Sequence, residues 1–243
     1  MRVNESTKAF AEHGYVLMRD VIALHLLEEV KRHLRQLFKA GDHKTTEAAI
    51  MEMESSSHEA VYNASITVGS TLAAYRLIHS LGLESWAEEF LGEGYFHVTP
   101  LHVSMQMPRD KKYDYAWHIE SDFYPWAPEI LNLWFPILAS TQKDLTGTIE
   151  VIPGSHLKTK RAHDITHPGG YVQIISRLDP GEEEWGLQIE ANPGDLLIFH
   201  KRMVHRTCPN LCNVPRATGI VRVIDQGKLE KTRPLYKAMS YVE

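Results

Sequence analysis

Cysteine is scarce in this chain: Cys208 and Cys212 are the only two among 243 residues. Two thiols make no disulfide framework, which excludes a small secreted scaffold and leaves a reducing, cytoplasmic setting as the expectation. Long apolar runs are missing too. No stretch approaches the ~18 residues that span a bilayer, so no membrane partner is expected. Met1 to Lys8 is polar, without the apolar centre of a secretory signal. Positive charge is not in excess either. The formal net charge of −5 gives no basic footprint for nucleic acid. Internal repeats and low-complexity tracts are absent. The remainder, 43% hydrophobic and 23% charged residues, is that of an ordinary globular protein. The length suits one domain over 1–243, and a small-molecule substrate is the expected partner.

Histidine is plentiful, with 14 residues, and one of them has a suggestive neighbour. Tyr115-Ala116-Trp117-His118-Ile119-Glu120 reads as a β-strand. Side chains alternate there at about 3.3 Å per residue, so His118 and Glu120 share a face roughly 6.6 Å apart at Cα. An imidazole and a carboxylate so placed can converge on one metal ion. A third ligand from a distant strand would complete two histidines and one carboxylate, the open-sided set of non-haem Fe(II) oxygenases. Among 14 histidines and 31 acidic residues such a pair is weak on its own.

The downstream context strengthens it. Asn192-Pro193-Gly194-Asp195 is a turn feeding the apolar strand Leu196 to Phe199, followed by His200 and then His205-Arg206-Thr207. Arg216 stands eleven residues after His205, the length of a strand end, a turn and a new strand. Such a hairpin would return Arg216 beside His205, where its rigid guanidinium fork could clamp a carboxylate. Metal ligands beside a carboxylate clamp suit 2-oxoglutarate, whose keto-acid end chelates the metal while its far carboxylate is held. His200 is the rival to His205, placed near the strand end with His205 in the loop beyond. His156 follows a Pro-Gly-Ser turn and reads as structural. His97, His163 and His167 have no pattern around them.

The rest of the chain falls into helices and then strands. Residues 6–20 predict a short helix, a turn at Gly14 and the strand Tyr15 to Met18. Leu24, Leu27, Val30, Leu34 and Leu37 recur at helical spacing from Leu24 to Ala40, with Gly41 as a stop. Residues 42–65 predict one short helix between mobile segments, and Thr71–His79 and Leu83–Leu91 two more helices. In His102 to Met107 polar and apolar residues alternate, placing Gln106 on a wet face. A charged turn, Arg109 to Tyr113, leads into the His118 strand. Residues 121–130, with Phe123, Tyr124 and Trp126, predict a loop walling the site. Leu131 to Ala139 predicts a strand with Asn132 and Trp134 on one face. Thr148 to Ile152 and Ala217 to Ile224 are further strands, and the tail after Asp225 is polar. Residues 157–192 are long for a connection and have the character of a lid or binding loop. They carry a basic cluster (Lys158, Lys160, Arg161, His163, His167), a Gly169-Gly170 hinge, the strand-like Tyr171 to Ile175 and the acidic Glu182-Glu183-Glu184. The basic cluster reads as a solvated face or as a grip for an anionic substrate.

Several of these blocks together resemble the phytanoyl-CoA dioxygenase-like family of Fe(II)/2-oxoglutarate oxygenases. They are Phe10 to Leu17, Trp117-His118-Ile119-Glu120, Asn132-Leu133-Trp134, Gly147, Val151 to His156, and Gly194 to Arg216. One departure is visible: the family usually has His-x-Asp, and this chain has Glu120, an equally hard oxygen ligand with one more methylene. The resemblance implies an α+β fold: a double-stranded β-helix, the jelly-roll of the cupins, over 95–225, with a mainly helical flank over 1–94. It implies Fe(II), 2-oxoglutarate and O₂ as cofactor and cosubstrates. His118, Glu120 and His205 would hold the metal and Arg216 the far carboxylate, with Thr207, Gln106, Asn132 and Trp134 as further contacts in that pocket. The implied reaction is hydroxylation of an unactivated C–H bond with release of succinate and CO₂; the family's substrates are diverse, and the aromatic and charged rim points to a small polar metabolite. Two readings from other classes stay open, a metal-binding cupin-like protein without turnover and a zinc hydrolase using the same ligands. A halogenase is disfavoured, since it needs the place of Glu120 vacated for chloride.

Overall fold

The computed structural model describes residues 3–38, 45–111, 114–143, 145–166 and 172–227. In chain order the helices and strands are α1 (Val3–His13), β1 (Tyr15–Met18), α2 (Leu24–Leu37), α3 (Thr46–Ser56), α4 (His58–Val68), α5 (Leu72–Ser80), α6 (Leu83–Leu91), β2 (Phe96–Val98) and β3 (His102–Gln106). They continue as α7 (Glu120–Phe123), β4 (Ile130–Pro136), β5 (Ile149–Val151), β6 (Arg161–Thr166), β7 (Val172–Arg177), β8 (Leu187–Ile189), β9 (Leu196–His200), β10 (His205–Thr207) and β11 (Arg216–Asp225). Gly41, Tyr113, His167, Gly169-Gly170, Tyr171 and the tail past 227 lie outside the described residues.

A large antiparallel sheet runs β1-β9-β4-β11-β2, with β3 on the same side of β11 as β2. Facing it is a small sheet, β10-β5-β8. Together they form the double-stranded β-helix, flanked by the N-terminal helices. Strand β4 is buried along its whole length, because both of its faces are covered. Leu131, Leu133 and Phe135 pack toward the helices with Leu27, Val30 and Leu34 of α2, while Trp134 turns inward with Phe199 and Val151. Each fully buried Leu or Val on α2 contributes roughly 1.5–3 kcal/mol relative to exposure. Leu24, expected in that stripe, opens the helix and stays exposed.

Residues 42–65 do not make the one helix expected. Two helices form, α3 and α4, and each has its own cap: the hydroxyl of Thr45 accepts from Ala48 N–H and that of Ser57 from Ala60 N–H, both at 3.2 Å. The 157–192 connection is shorter than it looked, since β8 is a strand of the small sheet. The rest contains the β6–β7 hairpin and the short 3₁₀ turn Glu182–Trp185. Lys160 and Glu182 bury their charges against each other, and Lys158 lies 5.0 Å from the Trp185 ring. Glu182 is therefore not part of a solvated acidic patch; it holds the connection together.

The segment Tyr115–Glu120 departs most from expectation. It lies beside β10 but is not a strand; His118 makes a single two-bond bridge with His205 (2.9 and 3.0 Å), and Thr207 N–H donates to the Tyr115 carbonyl at 2.8 Å. On its other edge β7 supplies isolated hydrogen bonds instead of a ladder. The Gln173 side chain accepts from Ala116 N–H, and Ser176 N–H donates to the Trp117 carbonyl. The hairpin thus buttresses the segment, and the chain turns into α7 at Glu120.

Candidate active site

Three side chains converge between the two sheets. His118, Glu120 and His205 are all buried and offer one ligand atom each, all within 4.8 Å of one another. Glu120 Oε1 lies 3.9 Å from His118 Nε2 and 3.7 Å from His205 Nε2. Both rings are fixed from behind. His118 Nδ1 donates to the Ala116 carbonyl at 2.7 Å, and His205 Nδ1 donates to the Met203 carbonyl at 2.9 Å. A carbonyl can only accept, so Nδ1 carries a proton in both rings and Nε2 is the atom turned toward the carboxylate. The ring centroids lie 4.1 Å apart, with Phe123 edge-on to His118 and Phe199 edge-on to His205.

Charge is arranged accordingly. Burial, then the neighbouring His205, pushes His118 down to about 3, so the ring is neutral and able to ligate. Burial pushes the Glu120 carboxyl up, but Arg222 and His205 outweigh it and hold the group well below the usual carboxylate range. Two imidazoles and one carboxylate on one side of a point are the donor set that Fe(II) oxygenases use. The residues fit the metal.

His205 is the third member and His200 is not. His205 opens β10 instead of lying in a loop, because a tight turn after His200 (Met203 N–H to its carbonyl, 2.9 Å) restarts pairing at Val151. His200 points to the other side of β9, toward Phe10 and His156, where burial and then His156 bring it down to about 4. His156 is structural, as read: its Nε2 donates to the Ala11 carbonyl at 3.1 Å. Gly14, at φ +80°, leaves room for it; a Cβ there would sit 2.4 Å from His156 Nδ1.

A cavity of about 270 Å³ opens from the three residues. Arg216, Gln106, Thr207 and Trp134 all line it. Asn132 does not; it is wholly buried beside β9, its amide 3.4 Å from the Phe199 carbonyl. The hairpin expected between His205 and Arg216 does not form either. β10 pairs β5, and β11 pairs β3 and β4, so the two residues face each other from different sheets. That crossing belongs to a jelly-roll. The Arg216 guanidinium donates to Gln106 Oε1 (3.1 Å), the Thr146 carbonyl (2.9 Å) and the Cys208 carbonyl (3.1 Å). None of these partners is charged, and burial brings the group down to about 10.

Sequence reasoning passed over Arg222, which also lines the cavity. Its Nε donates to Glu120 Oε2 at 2.8 Å and its Nη2 to Oε1 at 3.1 Å. A signal existed: Arg216, Thr218, Ile220 and Arg222 share one face of β11 and all reach the cavity, while Ala217, Val221 and Val223 face the core. His102, Ser104, Thr148 and Arg206 are further lining residues that sequence reasoning passed over, whereas Phe123 and Tyr124 come from the loop expected beside the site. Burial, then Glu150, pushes the Cys208 thiol up to about 12, away from the reactive thiolate.

The same architecture is found in proteins of known structure. The epimerase SnoN, solved with Fe³⁺, alpha-ketoglutarate and a nogalamycin derivative, superposes with a TM-score of 0.65 at 18% identity, covering 92% of this chain and 83% of that one. EvdO2 from Micromonospora carbonacea var. aurantiaca, solved with 2-oxoglutarate, gives 0.63 at 15% identity, covering 91% and 90%. By sequence, 1-deoxypentalenic acid 11-beta-hydroxylase of Streptomyces arenae is 26% identical over 212 residues, 83% of this chain and 73% of that protein. The sequence profile of phytanoyl-CoA dioxygenase (PhyH) matches residues 10–218. The chain therefore belongs to the phytanoyl-CoA dioxygenase family and is an iron- and 2-oxoglutarate-dependent enzyme of that family.

Proposed function

We propose that the protein hydroxylates an unactivated C–H bond of a small polar metabolite, with His118, Glu120 and His205 holding Fe(II) and Arg216 holding the far carboxylate of 2-oxoglutarate. The observation that carries this reading is the buried Arg216, whose hydrogen bonds among the described residues go to neutral acceptors, whose burial Asp114 offsets only in part, and which lines the cavity that holds the three ligands. A guanidinium taken out of water costs several kcal/mol unless an anion joins it. A dicarboxylate that reaches the metal with one end supplies that anion.

Iron with 2-oxoglutarate and O₂ supplies the oxidising power, and succinate and CO₂ leave. The protein's own groups do the rest. The two Nδ1–carbonyl bonds keep both imidazoles in the ligating tautomer. Gln106 and Thr207 flank Arg216 as contacts to the cosubstrate, and Trp134 closes the inner wall. Tyr115, Phe123, Tyr124 and His102 line the cavity near the metal position and serve as the substrate wall. Burial and then Arg222 keep His102 neutral, so it offers hydrogen bonds without charge. These uncharged groups and aromatic rings favour a polar substrate of modest size. In this reading the chain works as one oxygenase domain, with flank, barrel and β6–β7 hairpin built around one cavity.

Succinate release tests the proposal. Under air, with Fe(II) and 2-oxoglutarate, compounds from a panel of small polar metabolites should raise the rate well above the uncoupled background. If none does, while the zinc-loaded protein hydrolyses esters or amides, the hydrolase reading replaces this one.

A further inference from the structure

The three ligands are not restrained alike. His118 and His205 are tied to each other by two backbone hydrogen bonds, and each ring has its own carbonyl partner. Glu120 has neither support. It opens the one-turn helix α7, outside any β-ladder, and its longer side chain has more rotamers to lose. Among the described residues, the two hydrogen bonds within 3.5 Å of its carboxylate both come from Arg222, with His205 Nε2 next at 3.7 Å.

Resting on the metal-ligand reading above, we propose that Arg222 is the positioning residue of the metal centre. Its guanidinium aims Glu120 Oε1 at the two histidines, and the length of glutamate at position 120 is matched to that grip. The fork divides the carboxylate. Oε2 takes the Nε bond, at 2.8 Å, on the side away from the imidazoles. Oε1 takes the 3.1 Å Nη2 bond and is the oxygen facing both Nε2 atoms. Arg222 is itself well anchored. It pairs with Asn132 of β4, its N–H donates to Thr99 Oγ1 and its carbonyl accepts from Thr99 N–H, both at 3.0 Å. Its guanidinium lies 5.3 Å from the ring of Tyr124, the residue that ends α7. One side chain on a rigid strand thus grips both ends of the turn that carries the ligand. An aspartate, shorter by about 1.5 Å, cannot keep both oxygens on the fork and still reach the point between the histidines.

The opposite sign is also conceivable on electrostatic grounds, because a fixed cation near a divalent ion repels it and competes for its ligand. Mn(II) binding, read by electron paramagnetic resonance without turnover, separates the two. Parent, Arg222→Gln, Arg222→Lys, Glu120→Asp, the double variant Glu120→Asp/Arg222→Gln and His205→Ala are compared. Positioning predicts that Arg222→Gln weakens Mn(II) binding 10- to 100-fold, the range for groups that orient a ligand. Arg222→Lys should recover part of that loss, and Glu120→Asp should weaken binding in the parent background. The double variant should bind no worse than the weaker single variant, since each change destroys the same contact. Unchanged or tighter Mn(II) binding in Arg222→Gln overturns the proposal, and so do losses that multiply in the double variant. If Arg222→Gln does not melt cooperatively, Glu120→Asp decides alone, and parental affinity there is the contrary result. Parental Mn(II) affinity in His205→Ala would instead remove the metal-ligand reading. Loss in His205→Ala with no effect at Arg222 removes only the positioning role.

Discussion

Arg216 and Arg222 lie on the same face of β11, six residues apart, and both reach the cavity. Strand periodicity makes them look equivalent, yet their surroundings differ. Arg222 has its anion inside the protein, and Glu120 raises it above the ordinary arginine range against the pull of burial. Arg216 has two backbone carbonyls and an amide oxygen, and burial brings it down to about 10. Neutral acceptors satisfy N–H groups without cancelling charge. The arginine whose charge Glu120 matches is committed within the protein; the other, whose burial Asp114 offsets only in part, is the one that the proposed function gives to an anion from outside.

Removing the metal end of the cavity gives the largest effect. His205→Ala should weaken Mn(II) or Fe(II) binding more than ~100-fold, beyond the range for groups that only orient a ligand, whereas His200→Ala should bind metal as the parent does. Equilibrium dialysis with metal analysis reads both. Arg216→Ala comes next. Truncating one partner of a buried charged contact costs about 2–5 kcal/mol, which is a roughly 30- to 4,000-fold rise in the 2-oxoglutarate dissociation constant. Metal affinity should stay near parental, and Arg216→Lys should fall between, keeping charge without the fork. Isothermal titration of the metal-loaded variants measures it. A variant that keeps its 2-oxoglutarate affinity but melts early would make Arg216 a structural residue.

A subtler change reaches Arg216 through Gly147. That glycine has φ +69°, and a Cβ there would sit 2.4 Å from Arg216 Nη1 and 2.3 Å from the Pro209 carbonyl. Gly147→Ala should cost about 1–3 kcal/mol in strain, lowering the melting temperature and weakening 2-oxoglutarate without touching the metal.

Arg19, exposed and paired with the buried Asp195 at 2.7 Å, completes the comparison. Arg19→Ala should cost only about 0–1 kcal/mol. Burial pushes the Asp195 carboxyl up, but the N–H groups of Asn192 and Asp20 and the Arg19 side chain outweigh that and lower it. A carboxyl lowered on folding contributes stability above its unfolded value, about 3.9, and loses it as pH falls through the lower folded value. The stability gap between parent and Asp195→Ala should therefore be full at neutral pH and close in acid. Urea melts along that pH series read it.

Much of the fold was legible because alternation is a local signal. β1 runs Tyr15–Met18 as expected. The polar residues of β3 line the cavity, and the apolar side of β4 meets the helices, both as the period-two pattern requires. The triad was legible from His-x-Glu with a distant His-x-Thr, even though the segment that carries His118 and Glu120 is not a strand. Backbone partners there come from Gln173 and Ser176 of the β6–β7 hairpin, more than fifty residues on, and no local pattern announces them. The return of Arg216 by a hairpin failed for a related reason: which sheet a strand joins is decided by tertiary packing. Arg222 was hidden because its meaning depends on Glu120, 102 residues away. Its parity on an apolar strand was the available clue.

The most direct measurement is anaerobic addition of 2-oxoglutarate to the Fe(II)-loaded protein, followed in the visible for the metal-to-ligand charge-transfer band of a chelated keto acid. The parent should develop the band and saturate at one 2-oxoglutarate per iron. Arg216→Ala should need 2-oxoglutarate concentrations higher by its loss in affinity, and His205→Ala should show no band. No band in the iron-loaded parent, or a parental titration curve in Arg216→Ala, would contradict a site in which this triad and this arginine hold the two ends of one cosubstrate.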